Sequence, residues 1–167
     1  MKAIFAGSFS PPTLGHLDII RRASRIFDEL IVAVMFNHEK RYDFSAEERK
    51  EMLERITGDF KNVRVIADTG LLVDVAAREG ADVLIRGLRG VDTLPIEMQM
   101  AEANRRLSGI DTMYMGCLPE HSWISSTIVR DCAAHGAPIG DMVPKEIIGQ
   151  IYAAFGAAPR GKREVMK

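Results

Sequence analysis

The residues best equipped for chemistry in this chain are basic or hydroxylic, and they are few. His16 closes the stretch Gly7-Ser8-Phe9-Ser10-Pro11-Pro12-Thr13-Leu14-Gly15-His16, directly behind a glycine that permits close backbone approach. Arg86 and Arg89 flank Gly87 and Leu88, so a turn at the glycine would let both guanidinium forks face one polyanion. Lys40 adds a compact charge on a flexible stem, and Ser125-Ser126-Thr127 places three hydroxyls where a helix begins. Each has a plainer reading: a capping histidine, solvated loop cations, an over-provided N-cap. Glu97 likewise reads as a solvated helix carboxylate when taken alone.

No nucleophile, base and orienting group stand together, and His38, His121 and His135 share no metal-ligand spacing. G-x-x-x-x-G-K-[ST] is absent, which excludes a P-loop, and two glycines do not make a dinucleotide fingerprint. What remains is equipment for holding phosphates. Chemistry done by positioning and charge stabilisation, without a covalent intermediate, fits phosphoryl or nucleotidyl transfer.

Those residues have to be delivered by secondary structure, and the pattern says how. Ala3 to Ala6 is a short apolar run that reads as a buried strand. Beyond the Ser/Pro loop, Leu17, Ile19, Ile20, Ala23, Ile26 and Phe27 recur at helical spacing. Strand, small-residue loop and helix start present free N–H groups to an anion. Leu30 to Met35 is a continuous β-branched run, expected of a strand covered on both faces. The polar loop Phe36 to Phe44 carries Lys40 and Arg41, and Ser45 with Glu48 predicts a capping box for a helix to about Ile56.

Val63 to Ala67 predicts a third strand, Leu72 to Glu79 a helix ended by Gly80, and Asp82 to Ile85 a fourth strand delivering Arg86 to Arg89 beyond its end. A helix from about Pro95 to Leu107, a strand at Thr112 to Met115, a helix opened by Ser125 and a last helix from Pro144 to about Phe155 follow. Strands alternating with helices predict an α/β fold, a doubly wound five-stranded parallel sheet of Rossmann-like type. In such sheets ligands gather beyond the carboxyl ends of the strands, where the basic and hydroxylic residues fall.

The 167 residues predict one domain over residues 1–155, with a basic, disordered tail over 156–167 lacking a core face. With 22 basic and 23 acidic residues the net charge is −1, which gives no global field to recruit nucleic acid. No apolar run approaches membrane-spanning length and the amino terminus enters a strand at once, so a cytoplasmic protein is expected, with no membrane partner. Cys117 and Cys132 are expected to be reduced thiols.

Five motifs jointly resemble one family. They are G-S-F-S-P-P-T-L-G-H, the lysine loop at Lys40, I-R-G-L-R at Ile85 to Arg89, E-M-Q-M-A-E-A-N at Glu97 to Asn104, and W-I-S-S-T-I-V-R at Trp123 to Arg130. The chain is similar, over about Lys2 to Phe155, to the phosphopantetheine adenylyltransferases, a bacterial family within the T/H-x-G-H nucleotidyltransferases. The resemblance implies adenylyl transfer from ATP to 4′-phosphopantetheine, giving dephospho-CoA and pyrophosphate, with Mg²⁺ bound alongside ATP. It implies catalytic roles for His16, as transition-state stabiliser, and for Lys40. It implies ATP contacts from Ser8, Phe9, His16, Gly87, Leu88, Arg89, Glu97, His121, Ser122, Trp123, Ile124, Ser125, Ser126 and Thr127. Phosphopantetheine contacts are implied for Ser8, Lys40, Leu72 and Arg86, and a homohexamer with coenzyme A as a feedback ligand is implied by the same resemblance.

The chain departs from the family in places. Ser10 stands where Asp is usual, Pro12 adds a second proline, Leu94-Pro95-Ile96 replaces a more acidic aromatic stretch, and His121 stands where an aromatic is often found. Two other readings compete. A sister nucleotidyltransferase acting on nicotinamide mononucleotide or making a CDP-linked product is disfavoured by I-R-G-L-R. A non-catalytic adenylate sensor is disfavoured by His16 with Lys40, since a sensor needs no groups aimed at the reacting phosphates.

Overall fold

A computed structural model describes residues 1–36 and 42–160. Five parallel strands, β1 (Lys2–Gly7), β2 (Glu29–Met35), β3 (Val63–Asp68), β4 (Val83–Leu88) and β5 (Asp111–Gly116), form one sheet in the order β3-β2-β1-β4-β5. The helices are α1 (Leu14–Ala23), α2 (Ala46–Thr57), α3 (Leu72–Glu79), α4 (Leu94–Ser108), α5 (Ser126–Ala134) and α6 (Ile148–Ala154). The doubly wound α/β sheet expected from the alternation is thus what forms.

The strands read as unbroken apolar runs because both faces are covered. On one face Ala3, Phe5, Leu30, Val32 and Ile85 pack with Ile19, Ile20, Ala23 and Phe27 from α1 and the turn after it. On the other, Ile4, Ala6, Ile31, Ala33 and Leu84 meet Val75 and Ala76 of α3. A separate cluster joins Phe44 and Met52 to Ile124, Val129, Ile139, Ile147, Ile151 and Tyr152, seating α5 and α6 beside α2.

The predicted caps form for the predicted reasons. Ser45 accepts from Glu48 N and Glu48 accepts from Ser45 N, a complete capping box. Gly80 ends α3 with φ +66°, a left-handed cap that glycine adopts without steric cost. Several boundaries differ from expectation. α1 stops at Ala23 and leaves Ile26 exposed. The last helix is split into a 3-10 turn at Lys145–Ile147 and α6. The tail is not free of the core at its start: Ala157 N donates to Tyr152 O, Arg160 N donates to Gly136 O, and Ala157 packs on the second cluster. Residues 161–167 lie outside the described part. Among the described residues no helix is long and apolar enough to cross a membrane.

The direction in which strands are added to the sheet reverses between β1 and β4, since β2 and β3 lie to one side and β5 to the other. The β1–β4 pairing covers only Ala3 to Phe5 against Val83 to Ile85, although both strands run further. A crevice therefore opens at their carboxyl ends, the place where doubly wound sheets hold ligands.

Candidate active site

Three segments meet at that crevice: the loop from β1 to α1, the end of β4, and the turn leading into α5. The loop is tightly built. Phe9 takes φ +47° with its side chain buried, edge-on to both Phe5 and the His16 ring. The loop is tied to α5 by Ser126, whose Oγ donates to Pro11 O at 2.8 Å, and by Arg130, whose guanidinium donates to Ser10 O at 2.5 Å. Arg130 also donates to Thr127 Oγ1 at 3.3 Å and pairs with Asp43 at 3.2 Å.

His16 sits in the first turn of α1 and is part of its cap. Thr13 Oγ1 accepts from His16 N, while Thr13 N donates to Nδ1 of the ring at 3.0 Å. An Nδ1 that accepts a hydrogen bond leaves the ring proton of a neutral imidazole on Nε2, where it can be donated outward. Burial, followed by the positive charges of Arg89 and Arg86, lowers the His16 pKa to about 4. At neutral pH His16 is therefore an uncharged donor whose orientation the cap fixes. Capping does not use up the ring: the cap engages Nδ1 and leaves Nε2. A Cβ at Gly15 would make only ordinary 3.7 Å contacts with Cys117, His121 and Thr13, so no protein neighbour requires that glycine.

The arginines are arranged otherwise than the sequence suggested. Arg86, Gly87 and Leu88 belong to β4 itself, paired with Tyr114, Met115 and Gly116 of β5, so no turn occurs at Gly87. A Cβ on Gly87 would meet Cδ1 of Ile19, so the glycine leaves room for that side chain between α1 and the sheet. The Arg86 fork is occupied by Glu97: Nε and one terminal nitrogen donate to the two carboxylate oxygens at 2.7 and 2.9 Å, and the other terminal nitrogen donates to Ala6 O at 2.9 Å. Glu97 is neither the solvated carboxylate of the plain reading nor free to act alone; Tyr114 OH holds its backbone carbonyl at 3.2 Å. Arg89 donates to Ile124 O at 3.2 Å, joining the end of β4 to the turn before α5.

Among the remaining candidates, His121 ends a 3-10 turn at Pro119–His121, with Ser122 and Trp123 exposed after it. Ser122 Oγ donates to Pro119 O and Trp123 Nε1 to Glu120 O, so this segment is held by its own backbone. Ser125 is the α5 N-cap, accepting from Ile128 N at 3.1 Å, and Ile124 is buried beneath it. Leu72 begins α3 just beyond β3. Lys40, with Arg41 and His38, falls outside the described residues. Ser8 lies directly after β1, its carbonyl accepting from Arg49 at 2.7 Å and its Oγ 3.4 Å from Tyr42 OH.

Sequence reasoning did not single out Thr13, Arg49 or Arg130 for this site. Signals existed. Arg130 closes the last quoted motif, and Arg49 interrupts the apolar spacing of α2 beside Met52 and Leu53, where a charge is out of place.

Taken together, an α/β sheet with two capped helix N-termini and three arginines at its switch point is a nucleotidyltransferase scaffold. A family model described as cytidylyltransferase-like matches residues 4–132. Phosphopantetheine adenylyltransferase from Lachnoclostridium phytofermentans is 44% identical over 96% of this chain and 96% of its own. The enzyme of that name from Gloeobacter violaceus is 44% identical over 95% of this chain and 99% of its own, and that from Heliobacterium modesticaldum 38% over 98% of each. The chain belongs to the phosphopantetheine adenylyltransferase family of cytidylyltransferase-like proteins. A solved structure from Vibrio parahaemolyticus, described as a nicotinate-nucleotide adenylyltransferase, superposes with a TM-score of 0.66 over 91% of each chain at 18% identity, which supports the fold alone.

Proposed function

We propose that this chain transfers the adenylyl group of ATP to 4′-phosphopantetheine, releasing pyrophosphate and forming dephospho-CoA. The observation that carries the reading is His16: a neutral donor, oriented by Thr13 and flanked by Arg86 and Arg89, at the N-terminus of the helix that follows β1. The phosphate of the acceptor attacks the α-phosphorus in line, and charge grows on its non-bridging oxygens. A preorganised donor there stabilises the transition state more than the ground state. Full-length similarity to enzymes bearing that name supports the choice of acceptor.

Ser8, Phe9, His16, Gly87, Leu88, Arg89, Glu97 and the 121–127 segment are read as the ATP side, and Ser8, Leu72, Arg86 and Lys40 as the phosphopantetheine side. Glu97 also sets the Arg86 fork between the two. The described residues contain no cluster of three or more His, Cys, Asp or Glu side chains for a metal. Asp43 and Glu97, the carboxylates near the crevice, are engaged by Arg130 and Arg86. This donor set fits a Mg²⁺ held by the nucleotide's own phosphate oxygens, as that ion prefers, rather than by a protein cage. When bound, the ion neutralises phosphate charge.

The chain is read as an oligomer, with a homohexamer as the family's form. α4 buries only Asn104, and Ile96, Met98, Met100, Leu107 and, on β5, Met113 are exposed. That much apolar surface on one edge favours contact with further copies. Coenzyme A contains the acceptor moiety, so competition with 4′-phosphopantetheine is its expected mode of feedback. A cytoplasmic location accords with such a reaction.

The deciding experiment is pyrophosphate release from Mg·ATP with a panel of acceptors. 4′-Phosphopantetheine should be used far faster than nicotinamide mononucleotide or glycerol phosphate. Equal or better kcat/KM with nicotinamide mononucleotide would overturn the assignment. Lys40→Ala should raise the KM for phosphopantetheine and lower kcat together, because binding and positioning fail at once.

A further inference from the structure

The largest fully buried side chain in the fold is a charged one. Arg49, on α2, is 1% exposed, and no carboxylate among the described residues pairs with it. Its contacts are backbone oxygens and a ring. One terminal nitrogen donates to Ser8 O at 2.7 Å and Met35 O at 3.4 Å, Nε donates to Ser45 O at 3.2 Å, and the guanidinium lies 4.2 Å from the centre of the Tyr42 ring. Burying a cation without a counter-charge is costly, and an apolar side chain would fill the same face of α2 without that cost. The carbonyl contacts show what the charge does. They come from the loop after β1, the end of β2 and the N-cap of α2, three segments far apart in sequence. A planar fork with several donors can hold all three at once; an ammonium cannot.

Ser8 gains most from this. Its carbonyl is anchored by Arg49, and its hydroxyl lies 3.4 Å from the hydroxyl of Tyr42, whose ring is stacked on the same guanidinium. We propose that Arg49, with Tyr42, is a positioning residue for adenylyl transfer: it fixes the Ser8 hydroxyl at the sheet edge where the two substrates meet. The inference rests on the function proposed above, in that Ser8 must face the substrates. Arg49 touches neither substrate; it acts through Ser8.

The test is a double-mutant cycle on the full-length protein, measuring kcat and KM for wild type, Arg49→Lys, Ser8→Ala and the double variant. Arg49→Lys should lower kcat/KM by about tenfold or more, since small misplacements of a positioning group cost that much. In the Ser8→Ala background the same change should cost less than about twofold, because the two act as a unit. Additive losses would overturn the proposal. Tyr42→Phe keeps the ring under the guanidinium and removes only the hydroxyl, so it serves where Arg49→Lys does not fold. Its loss should likewise vanish in Ser8→Ala, and a loss that persists there would overturn the proposal. A crystal structure of Arg49→Lys or Tyr42→Phe without substrate reads the same point independently of turnover. Ser8 should be displaced while the sheet superposes, and an unmoved Ser8 would refute the role. A wild-type protein inactive on 4′-phosphopantetheine would defeat the proposed function, leaving the crystal structure to decide the role of Arg49.

Discussion

The N-termini of α1 and α5 face the same crevice and both carry a hydroxyl cap, yet they are built for different work. At α1 the cap is reciprocal: Thr13 Oγ1 takes the His16 amide, and the His16 ring returns to the Thr13 amide. The ring is thereby locked, half-buried and neutral, with one nitrogen left to donate. At α5 the cap is one-sided. Ser125 takes the Ile128 amide, while Ser126 and Thr127 are committed to Pro11 O and Arg130. The first terminus leaves a single ring donor on a fixed imidazole; the second offers backbone amides and a dipole, and spends its hydroxyls on holding the neighbouring loop. A helix end that locks one polar atom can discriminate a transition state, whereas one that presents a diffuse field mainly binds.

That division is open to breakage, most severely at His16. His16→Ala should lower kcat by about 10²–10³, the usual cost of one preorganised donor, while calorimetric ATP affinity changes only a few-fold. A near-normal kcat, or loss of ATP binding alone, would erase the distinction between the two termini. Thr13→Val comes next. It removes the hydroxyl from the reciprocal cap and loosens the ring, so kcat should fall about tenfold, within the range that misplacement of a catalytic group produces. Thermal melting should register the lost cap as about 1 kcal/mol.

Ser126→Ala sharpens the other side of the comparison. Without its bond to Pro11 O the loop and α5 separate slightly, so the KM for ATP should rise by about threefold with kcat nearly unchanged, the pattern of lost uniform binding. A kcat defect as large as that of Thr13→Val would assign chemistry to both termini. The smallest expected kinetic effect is that of pH. Because the folded His16 pKa is about 4, kcat should show no limb from this group between pH 6 and pH 8. Stability behaves otherwise. The unfolded histidine titrates near its ordinary value, so the unfolded chain holds a proton the folded one lacks in the window between that value and about 4. The contribution is complete above the window and lost as pH falls through it. Urea melts of wild type and His16→Asn across that range should differ in slope, the wild type falling faster.

The same two helices show what the sequence could and could not disclose. That α1 and α5 begin at Thr13 and Ser125 follows from local chemistry: a hydroxyl before an apolar periodicity, read within a few residues. Gly80 and the Ser45–Glu48 box were legible for the same reason. The end of β4 was not. The apolar run stops at Ile85, but the ladder continues to Leu88 because its hydrogen bonds come from β5 and do not depend on side-chain type. With β4 cut short, Arg86 and Arg89 looked like loop residues free to converge. The Arg86–Glu97 fork joins a strand to the next helix, and the Arg49 contacts join three segments; both are set by tertiary geometry that no local spacing encodes. Thr13, Arg49 and Arg130, which tie the candidate residues together, came only with the fold. At the start of the tail, the bonds of Ala157 and Arg160 to Tyr152 O and Gly136 O and the packing of Ala157 are tertiary contacts that no local pattern announces.

Gly87 has the quietest part in all this. Its missing side chain leaves the space that the Cδ1 methyl of Ile19, from α1, occupies, so a side chain at position 87 would first turn that flexible tip aside. What a methyl at position 87 asks for is therefore a change of rotamer at Ile19, not a shift of the helix that carries His16.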